Sequence, residues 1–148
     1  PGNNVLDSLL VGNHENYDDM STLRVDRIAH ITVLSERRKP LREIKGYNQQ
    51  RTFNVSQYVK EHIYMFGGES VTVSFKAKRS IVNQILDWFD GNVEFTNVTS
   101  DDVVCRVRVN HDAFKYWALQ YMQSVKVLSP ASLVAEVKEA IKEGLQQY

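Results

Sequence analysis

Hydrophobic and polar positions alternate with two different periods from residue 71 onwards, and stretches of the two kinds follow one another in a regular order. The two-residue period predicts strands over 71–78 and 103–109, and the short runs at 93–98 and 125–129 are predicted to be strands as well. The longer, helical period predicts helices over 80–89, 111–121 and 130–148. The resulting order, βαββαβ with one further helix, is typical of a ferredoxin-like sandwich in which right-handed crossovers place the helices on one sheet face. We therefore expect an α+β fold.

The first part of the chain is predicted to contain a β-hairpin. Two apolar runs at 5–12 and 22–34 flank a polar, turn-rich loop at 13–21. Two strands are marginally stable alone and cannot close a barrel.

The segment between the hairpin and the sandwich changes character twice. Residues 35–52 are rich in Arg and Lys and contain Pro40, which indicates an extended, mobile connector. A helical period then predicts a helix over 53–66, with Asn54 as its N-cap and Gly67-Gly68 at its end.

Composition and charge narrow the functional classes. The 148 residues hold 18 Lys and Arg against 18 Asp and Glu, so a polycation that binds DNA by net field alone is excluded. Cys105 is the only cysteine, which excludes an intrachain disulfide and a Cys-based zinc site and suits a reducing, cytoplasmic setting. No apolar run reaches membrane-spanning length, and no signal peptide is visible. The chain begins at Pro1 without methionine, as a processed or excised piece of a longer protein would.

Signals for catalysis are weak. The sequence lacks the dinucleotide, Walker, nucleophile-elbow and zinc-protease motifs, and its histidines are scattered at His14, His30, His62 and His111. The adjacent carboxylates Asp18-Asp19 and Asp101-Asp102 fall in predicted turns, where such pairs usually bond to the local backbone. We therefore expect no catalytic residue, no metal and no cofactor.

Two groups of cationic side chains remain as candidate binding sites. The outward positions of the two central strands carry no aromatic residue, so base stacking on this sheet is not expected, but they include Lys76, Lys78, Arg106 and Arg108. No acid intervenes between these four in the pattern, and either a solvated face or an anion- or partner-binding face would account for them. In LRVDRI (23–28), a strand would place Arg24 and Asp26 on one face and Arg27 on the other, and spacing alone does not separate a binding role from surface decoration.

Beyond these patterns, the sequence resembles a known family. The stretch LLVGNHENYDDMSTLRVDRIAHITVL (9–34), with its LRVDRI, resembles the end of a WYL domain of bacterial transcriptional regulators. Further resemblance, to the WYL C-terminal extension (WCX), lies in MFGGE (65–69), DWF (87–89), Trp117 and VKVLSPASLV (125–134). The naming Trp-Tyr-Leu run falls on Ser8, Leu9 and Leu10, so its Trp and Tyr are absent. The implied division is a C-terminal part of a WYL domain at 1–34, a basic connector and helix at 35–69, and a ferredoxin-like extension at 70–148.

The resemblance implies a function. Such regulators carry an N-terminal winged helix that binds operator DNA, then an Sm-like WYL barrel that senses a ligand, then an extension that assists dimerisation. Here the hairpin would be a remnant of that barrel, and operator DNA would be bound only by a winged helix missing from this chain. Arg24 and Arg27 match the arginines of the family's ligand site, which His14 would approach. We expect an effector-sensing, homodimerising portion of a cytoplasmic regulator that binds a nucleotide or nucleic acid and no membrane.

Two alternative functions belong to classes other than transcriptional regulators: an oligomerisation module and a small enzyme. An oligomerisation module without a ligand would use an unpaired edge strand near 5–12 and the last helix, whose apolar stripe runs through Leu133, Val137, Ile141 and Leu145. A small enzyme of acylphosphatase type rests on fold analogy, and Arg79 in KAKRS has no glycine-rich phosphate cradle around it.

Overall fold

The computed structural model describes residues 9–44, 54–89 and 91–148. Its strands are β1 (Leu9–Asn13), β2 (Met20–Arg24), β3 (Ser70–Lys78), β4 (Val93–Val98), β5 (Asp102–Asn110) and β6 (Val125–Ser129). Its α-helices are α1 (Val55–Glu61), α2 (Val82–Phe89), α3 (His111–Gln120) and α4 (Ala131–Leu145). Both sheets are antiparallel, and the predicted α+β fold is confirmed.

The larger sheet has the strand order β4-β5-β3-β6, which is the order of a ferredoxin-like sandwich. Phe75 on β3 lies opposite Cys105 on β5 and opposite Val127 on β6, so the inward positions of three strands meet. These positions alternate along each strand as predicted, since Val73, Phe75 and Ala77 are all buried.

An aromatic cluster fills the space between this sheet and its helices. The Trp117 ring lies 4.8 Å from the Phe89 ring and 5.4 Å from the Phe75 ring, in edge-on geometry that ring quadrupoles favour. Phe114 lies against the same rings, at 5.2 Å from Phe75. Burying four aromatic side chains stabilises this half of the chain without a disulfide or metal.

The hairpin is shorter than the hydrophobic pattern predicts. β2 ends at Arg24, which pairs with Leu9, and Val25–Arg27 form a turn of 3-10 helix. Residues 28–40 then have no regular structure, so the predicted strand over 22–34 is wrong beyond Arg24. The described part of β1 offers no partner past Leu9, and a strand without a partner leaves its backbone groups to water. The predicted positions 5–8 lie outside the described residues.

The segment before the sandwich is also more varied than predicted. Asn54 is the N-cap of α1, because its Oδ1 accepts from the backbone N–H of Gln57 at 3.1 Å. The helix ends at Glu61 rather than at Gly67-Gly68, and a 3-10 turn follows at Ile63–Met65. In the predicted connector, Leu41–Glu43 form another such turn and Ile44 is buried, while residues 45–53 lie outside the described residues.

The helices of the sandwich differ from the sequence prediction at their ends. A 3-10 turn at Arg79–Ile81 leads into α2, so Ser80 is not its cap. On α4, Leu133 and Val137 are buried, whereas Ile141 and Leu145 are 41% and 75% exposed. In the described part of the chain, every helix is too short or too polar to cross a lipid bilayer.

Candidate functional site

An open pocket of about 420 Å³ lies between the hairpin and the turn that precedes β3. Five of its lining residues belong to the hairpin and the turn after it, and the sixth, Met65, belongs to the turn before β3; the five are Thr22, Leu23, Arg24, Arg27 and Ile28. The two arginines singled out in LRVDRI therefore line one pocket. Three of the six lining side chains are apolar, so the pocket has a cationic part and an apolar part.

The 3-10 turn after β2 explains how the two arginines come together. In a strand, residues three apart point to opposite faces, which is how Arg24 and Arg27 were expected to lie. A 3-10 helix has three residues per turn, so positions i and i+3 fall on the same side. Because Val25–Arg27 adopt that turn, Arg27 returns to the side of Arg24.

Arg24 is held by a neighbouring carboxylate. Its Nε donates to Asp26 Oδ1 at 2.9 Å, and its Nη2 donates to Asp26 Oδ2 at 2.6 Å. This fork lowers the pKa of Asp26 and raises the pKa of Arg24, chiefly through the side-chain hydrogen bond. The pair fixes the guanidinium plane and leaves its Nη1 hydrogens to other acceptors.

Arg27 is exposed, and within the described residues its guanidinium has no hydrogen-bonded partner. An unpaired, always-charged donor fork suits a phosphate or carboxylate, which it binds through two parallel hydrogen bonds. Arg27 is thus the more available cation of the two.

His14 lies elsewhere. It sits in the turn at the tip of the hairpin, where its Nδ1 accepts from the N–H of Asn16 at 3.2 Å and its ring lies 5.4 Å from the Tyr17 ring. Arg24 is at the other end of the hairpin, opposite Leu9. His14 is therefore not brought to the pocket that contains the arginines.

The basic sheet face is less cationic than the pattern predicts. Lys76 forms an ion pair with Asp102 at 2.5 Å, and Arg108 forms one with Glu61 at 3.4 Å. The expectation that no acid intervenes is wrong, because it considered neither the first residue of β5 nor helix α1. Lys78 is exposed and lies opposite Asp102 in register.

The same face contains two further charges that the sequence reasoning missed. Lys126 on β6 lies directly opposite Lys76, and Glu94 on β4 lies opposite Arg106. The alternation of VKVLS could have indicated the outward position of Lys126, but the neighbouring strand had to be known to place it beside Lys76. The face thus combines five cations with three carboxylates, so part of its positive charge is compensated.

One cluster of potential metal ligands occurs in the part of the chain that the structure describes. His111 and Asp112 at the start of α3 and Glu136 on α4 have ligand atoms within 4.8 Å of one another. The Lys115 ammonium, however, lies 3.2 Å from Glu136 and 3.9 Å from Asp112. This cation already compensates both carboxylates, so the cluster is best described as an ion-pair network that joins α3 to α4.

The single cysteine, Cys105, is not activated as a nucleophile. Cys105 is buried in the core, and this burial raises the pKa of its thiol to about 11. A neutral, buried thiol is inert, since the thiolate is the reactive form. Arg79, the residue named for an acylphosphatase-type enzyme, uses its guanidinium to donate a hydrogen bond to the carbonyl oxygen of Thr99 at 3.2 Å.

Comparison with known proteins locates the sandwich in a family. The family model of the WCX domain matches residues 67–145, which include every element from β3 to α4 and more than half of the chain. A search of curated proteins found no match. The WCX domain is associated with WYL regulators and is not a known enzyme family. The chain therefore belongs to the WCX domain family and contains the regulatory C-terminal module that accompanies WYL domains.

Proposed function

We propose that this chain is the effector-sensing portion of a bacterial DNA-binding transcriptional regulator, and that its pocket binds a negatively charged effector, a nucleotide or single-stranded nucleic acid. The observation that supports the proposal is that Arg24 and Arg27 line one open pocket. Operator DNA would be contacted by a winged helix outside these residues, and the protein would act in the cytoplasm without catalysis.

Charge and geometry favour an anion over a neutral ligand. The pocket carries two guanidinium groups against one neighbouring carboxylate, Asp26. In the described part of the chain the guanidinium of Arg27 has no hydrogen-bonded partner, and Asp26 holds the plane of Arg24, which reduces the entropy that Arg24 would lose on binding. Because the site is open to solvent, the binding should weaken with salt.

A titration with fluorescently labelled oligo-dT tests the proposal. We expect Arg27→Ala to weaken binding by about tenfold, which is the loss expected for one charge-assisted contact. The matched control is Arg38→Ala, which removes the same charge from the exposed, irregular segment near the hairpin. If both variants weaken binding equally, the interaction is nonspecific electrostatics, and if the wild type does not bind, the sensing proposal fails.

Homodimerisation is a second candidate function, and it is favoured by the exposed half of α4. Ile141 and Leu145 continue the apolar stripe of Leu133 and Val137 but have no cover within the described residues. Lys138, Glu139, Lys142 and Glu143 alternate in sign beside them, so an antiparallel copy of the same helix would meet complementary charges.

Sedimentation equilibrium tests this second candidate. We expect the wild type to form a dimer that Leu145→Lys dissociates, while Gln147→Lys, which adds the same charge near the same helix end, leaves it intact. A wild type that remains monomeric at high concentration would exclude an interface on α4.

A further inference from the structure

Two consecutive residues of the turn beside the pocket have an uncommon backbone conformation. Tyr64 and Met65 have positive φ angles of 57° and 59°. Residues other than glycine rarely adopt this left-handed conformation, because their Cβ crowds the neighbouring backbone. Such strain persists only where surrounding contacts hold it, and it is concentrated at binding sites and switches.

Contacts on both sides hold this turn. The Tyr64 hydroxyl donates to Gln120 Oε1 on α3 at 2.6 Å, and the Tyr64 ring lies 4.6 Å from the Trp88 ring on α2. The backbone N–H of Met65 donates to the carbonyl oxygen of His62 at 3.0 Å. His62 itself is buried, and its ring is stacked on that of Tyr58 at 3.9 Å. The conformation is therefore imposed by tertiary structure.

The strained turn separates Met65 from its two neighbours. Tyr64 and Phe66 pack against the hydrophobic core of the sandwich. Met65 instead lines the pocket together with Arg27 and Ile28. A continuation of α1 through this segment would not produce this division, so the strained conformation is what supplies the pocket with its outer wall.

We propose that Met65 determines the specificity of the pocket: together with Leu23 and Ile28 it selects anions that carry a flat apolar group, such as a nucleobase, over a bare phosphate. This inference rests on the proposed function. Arg27 would bind the phosphate, while the thioether of Met65 makes favourable contacts with an aromatic ring. A bare phosphate would leave most of the 420 Å³ pocket unfilled.

The test compares two labelled probes of equal length and charge, oligo-dT and an abasic oligonucleotide with the same phosphates. We expect the wild type to bind oligo-dT about tenfold more tightly, as the burial of one base against apolar side chains would give. Met65→Asn should reduce this ratio to near one, because the affinity for oligo-dT falls towards that for the abasic probe. Asparagine tolerates the left-handed conformation, so the unfolding midpoint should not fall.

Met65→Gly is the second variant, because glycine adopts the same conformation without a side chain. Met122→Asn is the matched control, since Met122 is 52% exposed in the turn after α3 and should leave the ratio unchanged. If both Met65 variants keep the ratio, the inference is overturned while the proposed function stands. An equal loss for both probes with a lower midpoint assigns Met65 a structural role and also overturns it. A wild type that binds neither probe excludes the proposed function together with this inference.

Discussion

The side-chain amide of Asn110 donates a hydrogen bond of 2.9 Å to the carbonyl oxygen of Gly67, which joins the end of β5 to the segment that precedes β3. The Oδ1 atom of the same side chain accepts from the backbone N–H of Ala113 at 3.0 Å and so caps α3. Asn110 is 1% exposed; its bond with Ala113 is buried, while its bond to Gly67 and a longer one of 3.5 Å to the carbonyl oxygen of Glu69 are partly buried. One buried amide thus ties the pocket-bearing segment to the sandwich.

Replacing this amide should cost stability. We expect Asn110→Ala to lower the free energy of unfolding by about 2 kcal/mol, since it removes a helix cap and a buried hydrogen bond. Asn110→Asp keeps the cap acceptor but places a carboxylate oxygen against the carbonyl oxygens of Gly67 and Glu69, so it should be destabilised at least as much as Asn110→Ala. Urea denaturation measures the effect, with Asn97→Ala on the exposed edge strand as the control. Equal stability of the Asn110 and Asn97 variants would contradict this assignment.

The absence of a side chain at Gly67 should allow the hairpin to pack closely against the segment before β3. A Cβ added at Gly67 would lie 2.9 Å from the backbone oxygen of Met20, too close for the hairpin to keep its position. We expect Gly67→Ala to weaken oligo-dT binding by about threefold or more, while the sandwich loses at most about 1 kcal/mol of stability. Gly12→Ala is the control on the same hairpin, because nothing lies within 4 Å of its added Cβ. Unchanged binding by Gly67→Ala would show that hairpin position does not matter.

The pH dependence of stability should reveal the buried thiol. Burial raises the pKa of Cys105 from 9.0 to about 11, so the folded protein keeps the thiol neutral where the unfolded chain ionises. The thiol's contribution is fully present below pH 9 and is lost as the pH rises from 9 towards 11, by up to about 3 kcal/mol.

The comparison with Cys105→Ala isolates this contribution, because lysines and tyrosines titrate equally in both proteins. We expect the stability advantage of the wild type over the variant to decline from pH 9 to pH 10.5 in urea denaturation. A difference that stays constant over this range would exclude an effect of Cys105 ionisation.

The hydrophobic pattern predicted the sandwich well because its signals are local. The two central strands alternate by themselves, as Val103, Cys105 and Val107 do on β5, and the order of the elements then leaves few topologies. The failures needed information from distant residues. Ile31 and Val33 alternate like a strand but are 73% and 93% exposed, since no described strand pairs with them.

The candidate site was predictable only in part. The resemblance identified Arg24 and Arg27, but the 3-10 turn that brings them to one side has no periodic signal in a segment read as a strand. Met65 could not be found from spacing, because its position depends on the contacts of Tyr64 with Gln120 and Trp88. The resemblance implied that His14, in the loop after the first strand, would approach the arginines, but the register places it at the hairpin tip.

Asp26 should oppose ligand binding. Its carboxylate occupies two donors of Arg24 and partly cancels the positive charge of the pocket. We expect Asp26→Asn to tighten oligo-dT binding by roughly three- to tenfold at low salt and to steepen the salt dependence. Glu36→Gln makes the same charge change in the irregular segment and serves as the control. Weaker binding by Asp26→Asn alone would mean that orienting Arg24 outweighs the charge of Asp26.

The most direct test of the anion pocket is a titration of the arginine side-chain Nε–Hε signals by ¹⁵N NMR, with oligo-dT as the ligand. We expect the signals of Arg24 and Arg27 to shift with one common saturation curve, while those of Arg79 and Arg106 stay in place. If the signals of Arg106 and Arg108 on the sheet face shift instead, or if all arginine signals shift weakly and in parallel, the pocket is not the binding site.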